Sequence, residues 1–248
     1  AKGFREKSLM AVQSGSAASE KTGVHIWSFL ISAIGSYSSL ATEDSSSATT
    51  YLETMKCFLD QRRALDFAHY HYLLAWQAVM MGDVRQAQEH ARVFMRPDSG
   101  GVPFFTGFHH IASAMILLAD ENPREALAHI EQAKKIGGET KSALIEYHAL
   151  LVEADFELVR GKKPEGQKLL KAALAIGREK QIFNFDWWLP QTMARLCTTA
   201  LEQGIEPVYI REFIRRHDLF PETPPLHIDA WPWPLRTPSS TACSTSRA

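Results

Sequence analysis

Between its prolines and glycines the chain repeats one pattern: apolar residues recur at i, i+3, i+4 and i+7, and alternating apolar and polar runs are almost absent. A period near 3.6 gathers apolar side chains on one face of an α-helix, whereas a half-buried strand needs a period of two. The pattern therefore predicts an all-α chain, with helices at about 4–15, 24–41, 46–59, 64–81, 84–95, 104–120, 123–136, 141–160, 164–180, 187–203 and 207–217. Local chemistry marks several boundaries. Asn122 followed by Pro123 predicts an N-cap with proline at the first helical position, where its missing N–H has no partner to lose. Gly137-Gly138 predicts a helix stop, and Pro164 and Pro207 predict starts.

A repeat underlies the pattern. The helix after each short turn carries Ala48/Leu52/Met55, Ala87/Ala91/Phe94, Ala126/Ile130/Ala133 and Gly166/Leu170/Ala173, each at i, i+4, i+7. The leading small residues are 39, 39 and 40 positions apart. Five residues before each lies a turn, Glu43-Asp44, Gly82-Asp83, Glu121-Asn122 and Gly161-Lys162, and twelve before each lies another small residue, Ser36, Ala75, Ala114 or Ala154. Small residues at fixed places in both helices of a pair let their backbones approach closely, as a hairpin stacked along a solenoid requires.

This order resembles the tetratricopeptide repeat, although its spacing of 39–40 residues exceeds the standard period of about 34, a difference that longer helices fit. The resemblance implies a right-handed superhelical solenoid of antiparallel hairpins, with the second, fifth, ninth and twelfth positions of each first helix on the concave side. In this register those positions are Leu30, Ala33, Tyr37 and Leu40; His69, Tyr72, Trp76 and Val79; Phe108, Ile111, Met115 and Leu118; and His148, Leu151, Asp155 and Leu158. Such a groove suits a small organic effector or an apolar peptide. Tyr37, Tyr72, Trp76, Phe108 and Met115 would supply contact area, and His69, His148 and Asp155 would orient the ligand. The same aromatics would also serve as ordinary filling between closely wound helices, and the sequence leaves both roles open.

Composition narrows the partners. Against 28 Asp+Glu stand 27 Lys+Arg, so the formal charge of −1 gives no electrostatic case for direct nucleic-acid binding or an anionic membrane. Cys57, Cys197 and Cys243 are odd in number and far apart, which indicates neither a disulfide scaffold nor a zinc knuckle. The longest apolar stretch, Ile111 to Ala119, is too short to span a bilayer, and no signal-peptide pattern opens the chain. A cytoplasmic location is the simplest expectation.

No chemistry-bearing motif stands out. His69 with His71, and His109 with His110, lack the i, i+4 spacing and third ligand of a helical metal site. No serine or cysteine carries a nucleophile signature, and Gly137-Gly138-Glu139-Thr140-Lys141-Ser142 lacks the glycine before Lys141 that a phosphate loop needs, so it reads as a turn between helices. Glu153 with Glu157, and Arg211 with Arg215 and Arg216, read as solvated helix faces. Asn184-Phe185-Asp186-Trp187-Trp188 reads as the aromatic start of a helix that joins the last repeat to the terminal helix. Neither an enzyme nor a bound cofactor or metal is expected.

A second resemblance is more specific. Ala175-Ile176-Gly177-Arg178-Glu179, Asn184-Phe185-Asp186-Trp187-Trp188-Leu189-Pro190, Met193-Ala194-Arg195-Leu196-Cys197, Ala200-Leu201-Glu202-Gln203-Gly204-Ile205-Glu206, Tyr209-Ile210-Arg211, Ile214-Arg215-Arg216 and Trp231-Pro232-Trp233-Pro234-Leu235-Arg236 together resemble the tail of the helical-repeat domain in MalT-type (LuxR-like) bacterial transcriptional activators. His25-x-Trp27-x-Phe29 and Asp66-x-Ala68-x-Tyr70-His71-Tyr72-x-x-Ala75-Trp76 resemble the same branch more loosely, so the likeness covers residues 24–236. It implies a regulatory segment that senses a small effector or protein partner and transmits the event to neighbouring ATPase and winged-helix DNA-binding modules, neither of which this chain contains. The domains expected are a repeat domain at 1–217, an extended Pro/Trp-rich linker at 218–236 and a disordered tail or cloning scar at 237–248. The near-neutral charge and a start at Ala1-Lys2-Gly3-Phe4 agree with a segment cut from a longer regulator. The alternative is a free-standing interaction scaffold that docks a peptide, and an exposed solenoid end adds a second copy of the chain as an expected partner.

Overall fold

A computed structural model describes residues 2–60, 62–96, 101–187, 189–217 and 219. The linker expected at 218–236, with its Trp231-Pro232-Trp233-Pro234 run, and the tail at 237–248, with Cys243, lie outside these, apart from Leu219. The described residues form eleven helices and no strand: α1 (Lys2–Thr22), α2 (Ser28–Leu40), α3 (Ser45–Cys57), α4 (Ala64–Met80), α5 (Val84–Phe94), α6 (Pro103–Ala119), α7 (Pro123–Thr140), α8 (Ala143–Val159), α9 (Lys163–Lys180), α10 (Pro190–Glu202) and α11 (Pro207–His217). None of them is long and apolar enough to cross a membrane.

The helices pair as hairpins, α2 with α3, α4 with α5, α6 with α7 and α8 with α9, and these pairings are the most extensive in the molecule. Each hairpin then touches the next, through α3 on α4, α5 on α6 and α7 on α8, and through the first helices α2 on α4, α4 on α6 and α6 on α8. α1 packs on α2 at one end, and α10 packs on α9 and α11 at the other.

The repeat is written into the backbone. Glu43, Gly82, Glu121 and Gly161, spaced 39, 39 and 40 apart, all adopt a left-handed φ of 57, 77, 56 and 78°. The following amides, Asp44, Asp83, Asn122 and Lys162, each return to the carbonyl five residues earlier, on Ser39, Ala78, Leu117 and Glu157, at 2.8–3.0 Å. This is the Schellman closure of a helix, and it works at Glu43 and Glu121 despite a steric cost of about 1 kcal/mol that glycine avoids. Asp44 and Asp83 then cap the next helix, accepting from Ser47 N–H and Gln86 N–H.

Packing follows the small-residue register. Ser36, Ala75, Ala114, Ala154, Ala48, Ala87 and Ala126 are all fully buried. At the fourth hairpin a Cβ on Gly166 would sit 2.6 Å from Leu158 Cγ, so the contact takes only glycine without a shift. Of the second register positions, Ala91 alone is half-buried.

Four expectations are corrected. Gly137-Gly138 does not stop α7. The helix continues to Thr140 and ends at Lys141, whose φ is 52°. Gly137 is instead where α7 meets the start of α8, since a Cβ there would lie 3.3 Å from the Glu146 amide nitrogen. The Asn122 side chain caps nothing and donates to Glu125 Oε2 at 2.8 Å, while Pro123 does open α7. α1 runs on to Thr22, and α2 begins only at Ser28. Finally, 184–188 does not begin a helix. α10 starts at Pro190, because proline disfavours helical backbone in the residue before it, and Leu189 is extended.

Candidate functional site

The first helices of the hairpins bring most of the expected groove residues together. Tyr37 on α2 meets His69 and Trp76 on α4, with ring centroids 5.7 Å apart in both pairs. His69 stacks on Tyr72 at 6.2 Å, and Phe108 on α6 meets His148 on α8 edge-on at 5.2 Å. Tyr72, Trp76, Phe108, Met115 and His148 are buried, while Tyr37 and His69 keep partial exposure. Asp155 is not brought into this group: it holds Arg195 of α10 through two hydrogen bonds of 2.9 and 2.8 Å.

A later part of the chain packs against these rings. After α9 the backbone turns at Gln181, whose φ is 54°, and Ile182 N–H returns to the Gly177 carbonyl. Tyr209 Oη donates to the Ile182 carbonyl, His217 Nε2 donates to the Phe183 carbonyl, and the Arg216 guanidinium lies 3.7 Å from the Phe183 ring centroid. With α11 gripping its base, the segment then dips into the aromatic wall. Phe185 stacks on His148 at 4.5 Å and an interplanar angle of 18°, and Trp187 meets Tyr72 at 5.7 Å. Trp187 is wholly buried although it lies 115 positions from Tyr72 in the chain.

His148 organises this insertion. Its Nδ1 lies 2.7 Å from the Leu144 carbonyl, an acceptor, so Nδ1 carries the proton. Nε2 is then the acceptor, and it takes the Asp186 backbone N–H at 2.9 Å. Burial holds the imidazole near a pKa of about 4, against a smaller opposing effect from the Leu144 carbonyl, so this neutral tautomer persists at neutral pH.

The electrostatics of the segment are imperfect. Burial alone pushes the Asp186 carboxyl up to about 6, and among the described residues no cation offsets it. Burial, and after it that carboxylate, raise the Tyr37 and Tyr72 phenols well above their ordinary range. The Trp187 indole N–H lies toward the Tyr72 hydroxyl, near enough to act on that phenol, yet it completes no hydrogen bond of normal geometry. Trp187 also carries a φ of 61°. His69 and His109 sit near the same wall, each held at about 4 by burial.

Other polar clusters resolve into structure. Between α4 and α5, His71 Nδ1 lies 2.9 Å from His90 Nδ1, and between α6 and α7, His110 Nδ1 lies 2.8 Å from His129 Nδ1. The two pairs are repeat equivalents, 39 residues apart at both members. Glu153 pairs with Lys134 at 3.0 Å. Glu157 is buried rather than solvated and is ion-paired with Lys162 at 3.2 Å and Arg160 at 3.7 Å. Arg215 and Arg216 both reach Glu212, at 3.3 and 2.9 Å. Among the described residues no three His, Cys, Asp or Glu side chains converge to hold a metal ion.

Open space lies elsewhere. A void of about 10 Å³ is enclosed by Tyr147, Leu151, Cys197 and neighbouring apolar side chains of α8 to α11. A surface depression of about 660 Å³ lies between Pro164, Lys168 and Lys171 of α9 and the Gly204–Pro207 turn. Neither is lined by Tyr37, His69, Tyr72, Trp76, Phe108 or His148. Sequence reasoning missed Phe185, Asp186 and Trp187 as partners of His148 and Tyr72. The available signal was Pro190, which keeps the residue before it out of helix and so forces the preceding aromatics to find burial away from α10. No family model, curated protein or solved structure matches the chain.

Proposed function

We propose that this chain is the regulatory helical-repeat segment of a MalT-type transcriptional activator, a tetratricopeptide-like superhelix whose aromatic groove senses an effector. Support comes from the four hairpins, with their common closure and small-residue register, and from the contacts that run from each hairpin to the next. One observation carries the functional part: the segment that fills the groove is the same segment that α11 grips. Groove occupancy and the setting of α10 and α11 are therefore one mechanical system. An effector that binds better when the segment is withdrawn shifts the equilibrium toward released C-terminal helices, and the size of the shift equals its differential affinity for the two states. The exposed Ile26, Trp27, Leu30 and Ile34 at the first hairpin supply a face for an upstream module or a second copy.

A ligand screen read by thermal shift tests the reading, since binding to the folded state raises the melting temperature by mass action. A hit is expected whose shift disappears in Tyr37→Ala and His69→Ala, the groove side chains that keep exposure. A hit indifferent to both, on folded variants, contradicts the assignment. The scaffold alternative is favoured if the ligands that respond are peptides alone.

A further inference from the structure

The Phe185-Asp186-Trp187 segment reveals the chemistry of the place it fills. We infer that the groove takes an uncharged, planar aromatic ligand bearing an N–H donor, and that this segment is its internal placeholder. The inference rests on the sensing role proposed above and specifies its ligand.

Three features of the occupied groove define that class. His148 presents a fixed acceptor, because its Nδ1–H is committed to the Leu144 carbonyl and its Nε2 takes a backbone N–H. A ligand therefore gains by donating, not by accepting. Rings meet rings here, with Phe185 flat on His148 and Trp187 against Tyr72, so flat rings fit where these rings now lie. Charge is poorly tolerated: among the described residues no cation meets Asp186, and its carboxylate acts on the buried phenols of Tyr37 and Tyr72. An anion placed there leaves a buried charge uncompensated, whereas a neutral amide does not.

The placeholder is also incompletely satisfied. The Trp187 N–H is buried without a hydrogen bond, and its backbone holds a φ of 61° that favours glycine. A ligand with the same rings, a satisfied N–H and no charge displaces the segment by completing what it leaves unmade. The segment then withdraws from the groove, and α11, which grips its base through Tyr209, His217 and Arg216, shifts with it.

The test uses a matched pair of probes, N-acetyl-tryptophanamide and N-acetyl-tryptophan, which share a ring and differ in charge. In the Phe185→Ala/Trp187→Ala protein, which vacates both ring sites, the amide is expected to bind saturably and about tenfold more tightly than to the wild type. It is expected to exceed the carboxylate by a similar factor at pH 7.5, and His148→Leu in the same background, which removes the acceptor, is expected to weaken amide binding about tenfold. Absence of saturable amide binding, equal binding of the carboxylate, or indifference to His148→Leu overturns the inference. Should the double variant fail to fold, the wild type serves instead: the Trp187 indole N–H resonance is expected to move toward its solvent-exposed position as the amide is added, and a resonance unmoved at the amide's solubility limit is equally decisive against it. The two proposals fail separately. A different groove-dependent ligand from the screen preserves the sensing role while removing this ligand class, and amide binding by a chain whose release alters no neighbouring module preserves the class while removing the role.

Discussion

His148 and Asp186 sit one hydrogen bond apart and err in opposite directions. The imidazole is neutral because burial lowers its pKa to about 4, so it contributes stability that is complete above about pH 6.5 and is lost as pH falls through 4. The carboxyl of Asp186 has its folded pKa raised to about 6, above its ordinary value, so the folded chain holds that proton more tightly than the unfolded chain does. Its effect runs the other way from a salt-bridged acid: stability is lost as pH rises from about 4 through 6. Asp186→Asn removes the buried charge and keeps the backbone N–H on His148. It is expected to stabilise the protein by about 1–3 kcal/mol at pH 7.5 in urea unfolding, with the gain fading by pH 4. A variant no more stable than wild type at pH 7.5 contradicts the described burial.

Among the elements, the hairpins were the most legible in the sequence. The four leading small residues, the turns before them and the starts at Pro123 and Pro207 all follow from period and punctuation, because hairpin packing is local and each unit reports the same constraint. Gly137-Gly138 was misread for a physical reason: glycine ends a helix or lets another helix approach it, and only the position of α8 decides which. Long-range insertion was not legible, since nothing near Trp187 in the chain identifies Tyr72 as its neighbour. The His71–His90 and His110–His129 pairs were equally hidden, each needing two helices to be paired first. Burial and then the partner imidazole lower His71 and His110 to about 4. Burial also lowers His90 and His129, against the pull of Glu89 and Glu125. These pairs stabilise the neutral state and are lost as pH falls from about 6.5 toward 4. The fourth hairpin places Leu150 and Leu169 in the same register. His71→Leu/His90→Leu is therefore expected to fold and to remove roughly 1–2 kcal/mol of acid sensitivity between pH 6.5 and 4.5, measured by thermal melts across that range. An unchanged pH profile rules the pair out as a source of that sensitivity.

For the whole molecule, the helix-to-helix contacts run from neighbour to neighbour, which alone predicts ends that loosen independently. The Phe185–Trp187 insertion opposes that by joining α4 to the segment beyond α9. It ties the aromatic wall and the C-terminal helices into one unit, as the proposed relay requires. The contact between Tyr72 and Trp187 is accordingly the point on which the account rests. In protein labelled selectively at tyrosine and tryptophan, nuclear Overhauser spectroscopy measures it directly. Cross-peaks between the Tyr72 ring and the Trp187 indole, assigned by Tyr72→Phe and Trp187→Phe, are the expected result. A folded protein in which Trp187 shows no such cross-peaks and exchanges its indole proton at the rate of an exposed tryptophan would contradict it.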